Sequence, residues 1–262
     1  MLATVVITLS GTAPGISQDS IVDEAVKVNQ QLWLDYNPTS ILSEYRSLST
    51  QISYRTIIPQ VYNRFQVIST LDFRNKRERG LISGKALIKS FRLGGGVIYT
   101  QNTGARDNLE FRLSQGLTFD IPTIQQMTLN NYARIEERLQ KTFDDSGWEA
   151  GFRFRYRIAT QIALNGLHLE FTEGFYIPLE AEVFINLKKT ERFNDLIRLS
   201  PGLGYRFKTG WRIETYLIFN RTKNITETND KSSDFIMRVR VYSPPQRKDN
   251  GEGPPGKAPA FD

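Results

Sequence analysis

The stretch Leu109–Ile121, LEFRLSQGLTFDI, alternates almost without error. Leu109, Phe111, Leu113, Leu117, Phe119 and Ile121 fall on one face, and Glu110, Arg112, Ser114, Gly116, Thr118 and Asp120 on the other. A period of two marks a β-strand, because successive side chains point to opposite faces of the pleat. The pattern recurs down the chain. Phe152, Phe154, Tyr156 and Ile158 oppose Arg153, Arg155 and Arg157; Ile177, Leu179, Val183 and Ile185 oppose Tyr176, Glu180, Glu182 and Asn186. Apart from a weak stretch near 20–28, almost nothing has a helical period. The chain reads as all-β, with strands longer than the ~5–6 residues usual in soluble sheets.

Alternation does not say which face lies inside. A soluble barrel buries its apolar face and leaves the charges in water. A transmembrane barrel turns the apolar face to lipid and keeps the charges within. Three features favour the second arrangement. The polar faces carry arginine, as at Arg55, Arg64, Arg74 and the 153–155–157 ladder, while lysine gathers in connections or strand ends at Lys76, Lys141, Lys188, Lys189, Lys223 and Lys231. A confined interior favours this sorting, because the guanidinium fork holds fixed pairs with carboxylates. Small residues (Gly116, Gly151, Gly202, Gly204) share the polar faces and leave room inside a closed wall. Aromatics such as Trp148, Phe119, Tyr205, Phe207 and Trp211 sit at strand ends, as interfacial girdles do. The expected fold is a single antiparallel up-and-down transmembrane β-barrel in the outer membrane. A soluble β-barrel binding protein is the alternative.

The candidate interior residues are Glu110, Arg112, Arg134, Glu136, Arg138, Arg153, Arg155, Arg157, Glu180, Glu182, Arg198, Arg206, Arg212, Glu214, Arg238 and Arg240. On one reading they line a narrow channel for small anionic solutes, since pores select with rings or stripes of charge. On the other they form a salt-bridge network that plugs a structural or docking barrel.

The chain has 262 residues, no cysteine, one histidine and a formal charge of +6. That length suits one large β domain, and absence of cysteine excludes disulfides and thiolate chemistry. Negative mean hydropathy is compatible with a membrane barrel, which needs only every second residue apolar. Residues 1–18 resemble a signal peptide without its positive start, 19–243 form the barrel, and 244–262, rich in Pro, Gly and charge, read as a disordered periplasmic tail that could meet a partner. Long polar connections alternate with short ones only if 85–101 is two strands joined at Arg92–Gly95. That gives twelve strands with both termini periplasmic, although the long segment 165–174 leaves ten or fourteen open.

The order LWLDY (32–36), LEFRLSQ (109–115), ARIEERLQ (133–140), FRFRYRI (152–158), EAEVFINL (180–187) and IRLSPGLGYRF (197–207) resembles a family of Gram-negative outer-membrane proteins containing a domain of unknown function. The resemblance spans roughly 30–243. It implies a β-barrel in the outer membrane, and it implies no reaction and no catalytic residue.

Other chemistry finds little footing. His168 has Glu170 and Glu173 nearby but no serine marked as its partner, which argues against a lipid-modifying barrel enzyme. One histidine without cysteine offers no metal-ligand spacing. Gly94–Gly96 lacks the Lys-Ser/Thr of a phosphate loop. The sequon Asn224-Ile225-Thr226 carries little weight in such a protein. No basic cluster with interleaved aromatics suggests nucleic acid. The expectation is a non-enzyme without cofactor, in contact with outer-membrane lipid.

Overall fold

The computed structural model describes residues 28–58, 61–75, 87–122, 128–143, 147–164, 173–187, 195–223 and 233–247. These form β1 (Val28–Asn37), β2 (Thr39–Ser43), β3 (Arg46–Ile58), β4 (Tyr62–Arg74), β5 (Leu87–Asn102), β6 (Asn108–Pro122), β7 (Thr128–Thr142), β8 (Glu149–Ala163), β9 (Gly174–Asn186), β10 (Asp195–Arg206), β11 (Arg212–Lys223), β12 (Ser233–Tyr242) and β13 (Gln246–Arg247). The signal-like segment 1–18, His168, the sequon at 224–226 and the tail beyond Arg247 lie outside the described residues.

From β3 to β12 each strand pairs antiparallel with its sequence neighbour. β1 pairs antiparallel with β3 on one side and parallel with β12 on the other, which closes an eleven-stranded barrel. β2 and β13 prolong the two seam strands. Pro38 interrupts the first and Pro244-Pro245 the second at the same height, since Asn37 stands opposite Tyr242 and Ser40 opposite Gln246. Proline has no N–H to give to the ladder. Within the tail expected from residue 244, Gln246 and Arg247 are held against β2.

Two expectations are corrected. The wall has eleven strands, not twelve, and 85–101 is not a hairpin. Residues 94–96 stay extended inside β5, facing Thr70, Ser69 and Ile68 on one side and Ser114, Leu113 and Arg112 on the other. A Cβ on Gly96 would lie 2.6 Å from the Val67 carbonyl oxygen, so that glycine serves close approach within the wall and no turn. An odd count closes only through a parallel seam. Hence β1 starts at one rim and β12 ends at the other, so the two ends of the wall do not share a side. Nor do long and short connections alternate. β3, β5, β7, β9 and β11 end at the rim where β1 begins, and β4, β6, β8, β10 and β12 end at the opposite rim.

The apolar half of each zigzag points outward. Leu34, Ile52, Phe65, Leu113, Leu199 and Leu203 are exposed, while Asp35, Glu110, Glu136, Glu182 and Glu214 are buried within. Outward aromatics recur at an interval of eight on five strands: Phe65 and Phe73, Phe91 and Tyr99, Phe111 and Phe119, Trp148 and Tyr156, Trp211 and Phe219. All but Tyr156, at the middle of β8, lie within four residues of a strand end and form a belt near each rim. Phe111 packs on Trp148 near one, with centroids 5.5 Å apart, and Tyr36 stacks on Trp211 near the other at 6.5 Å. The outward face also holds polar exceptions, among them Gln115 and Glu137.

Candidate functional site

Strand register brings the polar halves together inside the wall. Arg112 stands opposite Arg138 across β6 and β7, and Glu110 lies between them. Nη2 of each arginine donates to Glu110 at 2.6 Å. One pleat further along β7, Glu136 accepts Arg134 Nη2 at 2.8 Å, Arg155 Nη1 at 2.7 Å and the guanidinium of Arg153. Arg155 reaches on to Glu182, which also takes Arg198 Nη1 at 3.3 Å. The chain of pairs thus runs from β6 to β10.

A second group lies across the seam. Asp35 on β1 accepts Arg238 and the Ser53 hydroxyl, with Arg240 Nε at 3.7 Å. Arg240 Nη1 donates to Glu180 Oε1 at 2.8 Å. Glu214 accepts the Tyr176 and Tyr216 hydroxyls at 2.7 and 2.8 Å.

Aromatic rings separate the guanidinium groups. Arg153, Arg155 and Arg198 lie 4.9, 4.4 and 4.8 Å from the Phe184 centroid. Arg92 and Arg134 flank Tyr132, and Arg55 lies 3.9 Å over Trp33. A cation over a ring face is attracted by the ring quadrupole, more strongly where water is scarce. These inward aromatics were missed by sequence reasoning. Their signal was present: Trp33, Tyr132, Phe184 and Tyr216 each share strand parity with an acid or arginine two residues away.

Between these groups and the opposite wall runs a cavity of about 780 Å³. One wall mixes neutral polar side chains (Ser47, Ser49, Gln51, Gln66, Thr70, Ser90 and Ser114) with the charges of β3, β4 and β5. The other is cationic, made largely from β7, β8, β10 and β12. Thirteen of the sixteen candidate residues line it. Glu110 and Glu214 are buried as partners of lining side chains, and Arg206 stands opposite Arg212 beside the 207–211 turn. Arg55, Arg64, Arg74 and Arg92 line the cavity as well, although the candidate set had omitted them. Altogether fourteen arginines and Lys89 face it against four carboxylates, and adding the buried Asp35, Glu110 and Glu214 leaves the cations in excess. Among the described residues no group of His, Cys, Asp and Glu is arranged to hold a metal ion.

A family model described as a protein of unknown function (DUF2490) matches residues 30–231. The chain belongs to the DUF2490 family. The match begins within β1 and runs through β11, and it takes in every candidate interior residue except Arg238 and Arg240. No curated protein and no solved structure matches the chain. The DUF2490 description names no reaction or ligand, so function has to be argued from the interior.

Proposed function

We propose that this DUF2490 chain is an outer-membrane β-barrel whose arginine-rich interior forms a narrow path for small anionic solutes. The observation that carries the reading is the charge of the cavity wall, fourteen arginines and Lys89 against four carboxylates. A low-dielectric wall lined by one sign of charge focuses its field on the enclosed space and concentrates counter-ions there. The outward surface supports a lipid setting. Eight residues of strand span about 26 Å along the strand, and about 20 Å along the axis of a barrel tilted near 40°, close to the apolar band of outer-membrane barrels. The reading assigns the interior to binding and passage, with no reaction and no cofactor.

The competing reading is a closed docking barrel, favoured by the interlocked pairs around Glu136 and Glu182. Purified full-length protein in planar bilayers under a salt gradient separates the two. The channel reading expects conductance with a reversal potential on the anion side, reduced by Arg157→Gln. Absence of conductance rejects the channel in favour of the closed barrel. Preference for cations defeats the anion path outright. Mobility on SDS gels before and after boiling tests the lipid setting, since folded outer-membrane barrels characteristically resist SDS until heated.

A further inference from the structure

Arginines stand directly opposite one another on neighbouring strands in three places around the cavity: Arg112 and Arg138, Arg134 and Arg155, and Arg55 and Arg64. Like charges directly opposite in a sheet are destabilising. Two of the pairs are bridged by an acid of the chain itself. Glu110 lies between the first two guanidinium groups, 2.6 Å from each, and Glu136 between the second two, at 2.8 and 2.7 Å. (A fourth pair, Arg206 and Arg212, flanks the 207–211 turn, and Arg206 does not line the cavity.)

The third pair has no such acid. Arg64 Nε donates to the Thr100 hydroxyl at 3.0 Å. Arg55 Nε, like Arg134 Nε, is buried without a hydrogen-bond partner, and the Arg55 guanidinium lies over Trp33. Asp35, diagonal to Arg55 across β1 and β3, attracts it through space, but its oxygens accept from Arg238 and Ser53, with Arg240 Nε at 3.7 Å. Arg55, Arg64, Trp33, Tyr62 and Gln66 all face the cavity. A buried guanidinium with an orphaned donor is costly unless something accepts from it.

We propose that the Arg55–Arg64 pair binds the carboxylate of a small organic acid, in the place that Glu110 and Glu136 fill at the other two pairs. The carboxylate is the ligand class because both internal precedents are carboxylates spanned by opposed guanidinium groups, a geometry that suits the two-oxygen fork. The Trp33 and Tyr62 rings flank the position and offer apolar surface to the acid's carbon skeleton. This inference rests on the reading that the interior admits small anions, and it names where such an anion stops.

The test uses the full chain folded in detergent, with Trp148→Phe and Trp211→Phe leaving Trp33 as the reporter of the three tryptophans. Butyrate, inorganic phosphate and chloride are titrated at constant ionic strength. Butyrate is expected to give a saturable change in Trp33 emission at lower concentration than the other two. Arg55→Gln and Arg64→Gln each weaken it by at least about tenfold, the scale of one charge-assisted hydrogen bond. Lys208→Gln, on an exposed turn near the opposite rim, leaves it unchanged. Butyrate raises the unfolding temperature of the parent protein and not of Arg55→Gln.

Equal butyrate affinity in the parent and both glutamine variants overturns the proposal. So does tighter binding of phosphate or chloride, or no saturable response to any of the three. If Arg55→Gln does not fold, Arg64→Gln carries the comparison, and the parent titration alone decides whether a site exists. Binding without bilayer conductance overturns the channel and leaves the site standing. Anion-selective conductance without a Trp33 response does the reverse.

Discussion

Arg155 Nη1 lies 2.7 Å from Oε1 of Glu136, a carboxylate wholly enclosed by the barrel. Arg134 and Arg153 converge on the same group. Three cations thus depend on one buried anion. Without it Arg155 keeps Glu182, while Arg134 and Arg153 lose the acid on which they converge, and removing one partner of a buried pair costs about 3–5 kcal/mol. Glu136→Gln keeps the side chain's shape and removes its charge. The expected outcome is a loss of stability of about that size, read from urea unfolding of the full chain in lipid. Glu137→Gln, one residue away on the outward face, provides the comparison and makes no such change.

Gly204 faces Tyr176 across β9 and β10, and a Cβ there would overlap the tyrosine ring. The ring is fully buried, and its hydroxyl donates to Glu214 at 2.7 Å. Gly204→Ala forces the ring aside and strains that bond. Overpacking of this kind costs about 1–3 kcal/mol. Thermal unfolding should report the loss, and Gly204→Ala combined with Tyr176→Phe should recover little of it, since the clash is with the ring and not the hydroxyl.

Side-chain facing was legible because a strand has a fixed period of two, so that one fully alternating segment such as 109–121 assigns every other residue in it. Partners were not legible. That Glu136 meets Arg155 while Glu110 meets Arg138 depends on register between strands, which no local pattern states. The parallel seam was hidden for a related reason, since residues 28–37 and 233–242 meet from opposite ends of the chain. The strand count failed at 94–96, where three glycines signal a turn and the structure instead uses Gly96 to bring backbones close. The inward rings of Trp33 and Phe184 were overlooked because apolar side chains were assigned outward by type, where parity with Asp35 and Glu182 would have turned them in.

At the rim where β1 begins, the Tyr99 hydroxyl and the Asn102 backbone N–H both donate to Asp107, the latter at 2.9 Å. These donors hold the Asp107 carboxyl below its ordinary range. A carboxyl with a folded pKa below its unfolded one stabilises above the unfolded value, near pH 4, and loses that contribution as pH falls through the folded value. Ordering of the 103–107 turn should therefore weaken below about pH 4. Amide exchange at Asn102, followed against pH, should show protection lost on acidification, and Asp107→Asn should flatten that profile.

Leu203 is half exposed on the outer face and stands opposite Thr215, midway between the belt residues Trp211 and Phe219. On a surface in water, Leu203→Arg would alter stability by no more than about 0.5 kcal/mol. Facing hydrocarbon, a guanidinium at mid-height costs about 2–4 kcal/mol, falling to about 0–1 near the interface. The proposed lipid setting therefore predicts a depth series in bilayers. Leu203→Arg should destabilise strongly and Phe219→Arg weakly, with unfolding of the full chain from vesicles as the measurement. Equal and negligible effects at both positions would place this face in water and remove the membrane from the account.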